Sequence, residues 1–208
     1  MVQNRVSKAR GRPKAYDRPT ALRSMRGIFW DQGFAATSLD DLGRATAMNR
    51  PSLYNAFGDK AEAFKAVLDD YVDDIRQLYI PAFVVKAPLR VSLTRVYETA
   101  LTLYSVHDSP GRGCFMIGAA LTDSLRDPDV ASRILAAFHE MDRGFHRRLS
   151  IAQAQGELPP DADLDALTMI ASATHSSLSV RMRAGESEDD LRRFFNHAIT
   201  LICGKEQA

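Results

Sequence analysis

The 208-residue chain holds only two cysteines, Cys114 and Cys203, and neither sits in metal-ligand spacing. That scarcity excludes a disulfide framework, and a reducing cytoplasm is the expected compartment. No run reaches eighteen apolar residues, which leaves no candidate for a membrane-spanning helix. The opening MVQNRVSKARGRPK lacks an apolar core and reads against a secretory leader. His139 and His146 lie seven apart and can share a helical face, yet no further ligand clusters with them, so no metal is expected. Cys114 and His107 have no base and orienting group around them, and no cofactor motif occurs. An enzyme is therefore not expected, nor a cofactor. What the chain does have is 45% hydrophobic and 25% charged residues, the balance of an ordinary folded protein.

The net charge of +1 conceals an asymmetry. Residues 1–60 carry eleven Lys or Arg against five Asp or Glu, a net of +6, whereas residues 61–208 carry sixteen against twenty-one, a net of −5. A basic front on an acidic body concentrates attraction for a polyanion at one end. Residues 1–18 form a basic arm in which Gly11 and Pro13 interrupt helix formation, and flexibility is expected. Its run RGRPK resembles the minor-groove core of AT-hook peptides. Arg10, Arg12 and Lys14 would then either enter a narrow groove or supply sequence-independent phosphate attraction.

Residues 19–65 read as three short helices. The first covers 19–32, with Leu22, Met25 and Phe29 at helical spacing and Gly33 permitting a turn. Thr37 or Ser38 caps the second, because S-L-D-D places Asp41 three residues beyond Ser38. Exposed amides at that start, with the Thr37 or Ser38 hydroxyl, suit a phosphate. Asp40 and Asp41 serve the helix terminus. The third helix runs from Asn49 or Arg50 to Ala56, with Pro51 tolerated in its first turn. Leu53 and Phe57 face inward, while Asn49, Arg50, Ser52, Tyr54 and Asn55 are free to enter a DNA groove. Arg50 is the candidate base reader, since its donor fork matches a guanine edge. Tyr54 fits either a phosphate contact or a partly buried position.

The GFAATSLDDL stretch and the NRPSLYNAFGDK run resemble the DNA-binding domain of the TetR family of bacterial transcriptional regulators. The resemblance implies phosphate contacts from Thr37 and Tyr54, base-facing Arg50 and Ser52, and Lys60 touching the DNA backbone. The family usually carries Gly where this chain has Ala47, and often other pairs where Arg50-Pro51 and Asn55-Ala56 stand, so an operator sequence does not transfer.

Residues 66–208 complete an all-α chain. A fourth helix extends from Asp59 to Leu78, Pro81 and Pro88 bracket a bend, and further helices are expected over 89–104, 114–125, 128–155, 161–183 and 187–203. Cys114, Met116, Phe138, Met141 and Phe145 fit either plain core or a cavity for a small molecule. Leu167, Ala171, Thr174 and Leu178 on the penultimate helix form one apolar stripe. Leu191, Phe194, Phe195, Ala198 and Ile202 form another on the last. Both fit intrachain core; the family resemblance implies instead that these helices pair with a second copy as a homodimer. It also implies a body that binds an apolar or amphipathic effector, and a repressor released from a pseudo-palindromic operator. An architectural DNA-binding or protein-interaction module without an effector is the competing expectation. Either protein would work in the cytoplasm, at the nucleoid when bound to DNA.

Overall fold

The computed structural model describes residues 16–83, 86–105 and 111–204, which form helices and connecting turns with no strand. The first three helices are α1 (Arg18–Ala36), α2 (Leu39–Thr46) and α3 (Arg50–Phe57). Asp17 caps α1 by accepting from the Thr20 amide at 3.0 Å, and Gly33 breaks it with φ 76°. The turn between α2 and α3 places Ala47 in the left-handed region, φ 53°. That conformation explains why a glycine is the usual occupant; a Cβ there costs about 1 kcal/mol.

The fourth helix, α4 (Lys60–Phe83), is longer than its pattern indicated, with Pro81 inside its last turn. The lost amide bond is outweighed by apolar burial, since Tyr79 and Ala82 are both inside. Helix α5 (Leu89–Tyr104) starts after Pro88, as expected. The apolar segment after Gly113 departs from expectation. Instead of an α-helix over 114–125, a π-helical turn spans Met116–Ala120, closed by the Leu121 amide on the Met116 carbonyl at 2.8 Å, and turns follow. Gly113 has φ 68°, and a Cβ there would meet the Ser179 carbonyl at 2.7 Å, so this crossing admits no side chain.

Helices α6 (Pro128–Ala154), α7 (Leu164–Arg183) and α8 (Glu188–Cys203) finish the body. Helix α7 packs against α5, α6 and α8, and α4 packs against α1, α5 and α6. Buried apolar residues form one continuous cluster from Ala21 to Ile202. A second connection supplements α4. Trp30 on α1 meets Tyr71 and Phe115 edge-on, with centroids 5.4 and 5.6 Å apart, and its indole N–H donates to the Arg112 carbonyl at 3.3 Å.

Candidate nucleic-acid interface and effector cleft

Local capping sets the shape of the reading head. The Asp41 amide donates to Ser38 Oγ at 3.2 Å and the Ser38 amide donates to Asp41 Oδ2 at 2.8 Å, a reciprocal capping box. These bonds from Ser38 hold the Asp41 carboxyl below the usual carboxylate range. Asn49 caps α3 by accepting from the Ser52 amide at 2.9 Å. Its oxygen is therefore engaged in folding, and the DNA contact expected of it falls to the remaining amide group.

Arg50, Ser52, Tyr54 and Asn55 are all exposed on α3, Tyr54 by 50%. Arg50 Nε and Nη2 donate to Asp40 on α2 at 2.8 and 2.7 Å, and this partner raises the guanidinium pKa further. An exposed pair of this kind is screened by water and holds weakly, so DNA can displace Asp40. Two expected phosphate contacts are turned inward. Thr37 is buried, and its hydroxyl donates to the Gly33 carbonyl at 2.7 Å to close the α1–α2 corner. Lys60 Nζ donates to the Phe34 and Thr37 carbonyls, both at 2.9 Å, and stands 4.3 Å from the Phe34 ring centre. One ammonium proton is left for DNA. Arg10, Arg12 and Lys14 lie outside the described residues.

In the body, Cys114, Met116, Phe138 and Met141 surround a small interior space of about 30 Å³. Phe145, expected beside them, is fully buried and packs edge-on against Phe83, 5.1 Å between centroids; it is core. One carboxylate, Asp142, lines this space and accepts from the Ser172 hydroxyl. The Tyr71 hydroxyl lies 3.4 Å from Cys114 Sγ, and burial pushes the thiol pKa up, away from a reactive thiolate. Sequence reasoning missed His175, whose Nε2 sits 2.7 Å from the Tyr79 hydroxyl. Desolvation lowers the His175 pKa to about 4.

Unfolding lets that imidazole take up a proton below about pH 6.5 while the folded form stays neutral, so stability falls with pH across this window. His175 is expected to remove roughly 2 kcal/mol between pH 6.5 and 5, read from urea midpoints. The His175→Gln variant should lose most of this slope; an unchanged slope in a folded variant would refute the assignment.

A larger cleft of about 660 Å³ opens between α4 and α6 and shares Ile75, Tyr79, Ala137 and Met141 with the interior space. Arg76, Arg143, Arg147 and Arg148 line it together with Glu140. Three of these arginines lie within six residues on α6, and only the fold brings Arg76 of α4 to the same cleft. No cluster of His, Cys, Asp or Glu suited to a metal occurs among the described residues; His146 Nε2 instead faces Asp165 at 3.5 Å.

The last two helices correct the expected contact surface. Ala171, Thr174, Leu178, Leu191, Phe195, Ala198 and Ile202 are buried inside the chain, and Leu167 and Phe194 are partly buried. The seven buried ones are intrachain core because the inward faces of α7 and α8 meet each other and α5, and α7 also meets α6. The opposite face of α7 carries a second apolar stripe: Ala166, Met169, Ile170, Ala173 and Val180 are exposed, Met169 by 72%. Leu201 on α8 is 75% exposed. Since α7 is apolar on both sides, periodicity in the sequence did not separate the two stripes.

A capped helix-turn-helix on an all-helical body with a ligand-sized cleft defines a DNA-binding transcriptional regulator of the one-component type. Residues 22–67 match bacterial regulatory proteins of the tetR family, and residues 92–198 match the tetracyclin repressor-like C-terminal domain. The chain belongs to the TetR family of transcriptional regulators. It is 32% identical over 197 residues to the HTH-type transcriptional repressor ComR of Escherichia coli K12, covering 94% of this chain and 93% of ComR. It is 26% identical over 193 residues to the HTH-type transcriptional repressor BdcR of the same organism, covering 92% of this chain and 91% of BdcR. Among solved structures, a cysteine mutant of the TetR family regulator CifR complexed with 26-bp operator DNA superposes with a TM-score of 0.81 at 28% identity. That likeness covers 90% of this chain and 98% of CifR. No described helix is long and apolar enough to cross a membrane.

Proposed function

We propose that this chain is a homodimeric repressor that binds a pseudo-palindromic operator and releases it when a small molecule occupies the α4–α6 cleft. The observation that carries the reading is the simultaneous display of two surfaces: a polar α3 face bearing Arg50, Ser52, Tyr54 and Asn55, and an unpartnered apolar stripe on α7. A second copy covering that stripe sets two heads on successive major-groove faces, about 34 Å apart. The division into an arm (1–18), a head (19–65) and a body (66–208) follows from this reading, with α4 crossing from head to body. The protein then acts in the cytoplasm and at the nucleoid.

Effector coupling runs through α4 and the Trp30–Tyr71 contact, since both join α1 to the walls of the cleft or interior space. An effector works only by preferring one arrangement of heads over another. Selection from fragmented genomic DNA tests the reading, followed by binding at fixed salt to the best fragment and a scrambled copy. A strongly preferred inverted repeat supports it. Equal affinity for both DNAs overturns operator reading and favours an architectural role.

A further inference from the structure

Helix α6 presents Arg143 and Arg147, four residues apart, to the cleft, and both are exposed with no hydrogen bond or ion pair among the described residues. Arg148, beside them, is 1% exposed. Its Nη2 donates to the Ala87 carbonyl at 2.8 Å and to Glu157 Oε1 at 3.1 Å, while its Nε and Nη1 are buried with no partner among the described residues. Across the cleft, Arg76 is held by Glu140 through bonds of 2.6 and 2.9 Å. Four arginines thus face one glutamate around a lining that also includes Val72, Ile75, Ile80, Phe83, Met141 and Ile151. The lining is apolar along its length and positive at one side.

We propose that the cleft takes an amphipathic anion, a carboxylic acid with an apolar chain or ring, whose carboxylate is drawn to the Arg143–Arg147–Arg148 side. This rests on the effector reading above and names the ligand class for it. A neutral apolar occupant would strip water from the arginines while giving Arg148 no partner, so its apolar gain would be opposed by desolvation. A cation would meet the exposed Arg143 and Arg147, while the nearby carboxylates are already engaged, Glu140 and Asp73 by Arg76 and Glu157 by Arg148. A singly charged carboxylate gives the exposed Arg143 and Arg147 an acceptor, matches guanidinium geometry, and costs less to desolvate than a doubly charged head. Arg148, buried behind them and shared with Glu157, adds positive charge to the same side without direct contact. The volume of the cleft suits a molecule of modest size.

Calorimetric titration of the full-length protein tests this with matched probes. Decanoate is compared with 1-decanol and decyltrimethylammonium, and 4-butylbenzoate with 4-butylbenzyl alcohol, all below their aggregation limits. These pairs distinguish a chain-bearing acid from a ring-bearing one. At least one acid is expected to bind about tenfold tighter than its alcohol, with the cation weakest. An Arg143→Ala/Arg147→Ala variant, altered only at exposed positions, should lose most of that preference while keeping the alcohol affinity. Arg148→Lys should weaken the acid selectively if it folds, and the double variant decides the matter if it does not.

Alcohols binding as well as acids, neither acid binding below about 1 mM, or a preference that survives in the double variant would each overturn the proposal. Operator binding is measured in parallel. An acid that binds with the expected preference but leaves the operator complex intact supports the ligand class and counts against the effector reading. Operator release by a neutral probe alone supports the effector reading and overturns the anionic class.

Discussion

The Ile170→Glu variant is expected to be a folded monomer that binds its operator at least a hundredfold more weakly than the native protein. Ile170 is exposed on the face of α7 opposite the core, in line with Met169, Ala173 and Val180. Ile170 is 39% exposed, so a charge there costs the protomer some covered apolar surface, which the thermal melt measures. In a two-fold interface every substitution appears twice on self-complementary patches, so two carboxylates enter one apolar contact. Once the heads separate, each half-site is held by one head alone. The effective-concentration gain of linked binding, on the order of 10² to 10⁴, is then lost.

Sedimentation and gel-shift measurements, with a thermal melt to check folding, read the three quantities. The Leu178→Ala variant supplies the contrast, because Leu178 is fully buried within the protomer. It should cost about 2–5 kcal/mol of stability while leaving the surviving folded molecules dimeric. A persistent dimer with Glu at position 170 would show that another surface makes the contact.

The Arg50→Ala variant should lose operator affinity by about ten- to a hundredfold for each head that reads a base, at about 1–3 kcal/mol per bidentate contact, while binding to scrambled DNA falls much less. Arg50 is paired with Asp40 at 2.8 and 2.7 Å, so the fork is already formed and oriented before DNA arrives. The Arg50 bond also holds the Asp40 carboxyl below its usual range. Binding at several salt concentrations separates the roles. A base contact changes the ratio between the two DNAs, whereas a phosphate contact weakens both alike and flattens the salt dependence. Equal losses on both DNAs would remove Arg50 as the reader.

Much of the head was legible because its signals are local. The Ser38–Asp41 cap and the break at Gly33 each involve groups within a few residues of one another, whereas Asn49, expected at the DNA, proved to cap α3. The expected limits of α5 matched the structure for the same reason, and α7 and α8 began within a few residues of expectation. Thr37 and Lys60 were harder to place. Both residue types suit a phosphate, and only the fold brings the Gly33, Phe34 and Thr37 carbonyls close enough to claim their donors. Phe145 differed from Met141 in the same way, since a neighbouring α4 ring, Phe83, decided that it is core.

The sequence by itself determined the helical class, the reading head and its caps, and the charge difference between head and body, because backbone capping and periodicity act over one or two helical turns. Tertiary structure alone decided which stripe of α7 is buried, how Asp40 holds Arg50, and where Arg148 is left with nitrogens that have no partner among the described residues. Those outcomes depend on which distant surfaces exclude water from one another and which donors then find an acceptor, relations that exist only once the helices have packed.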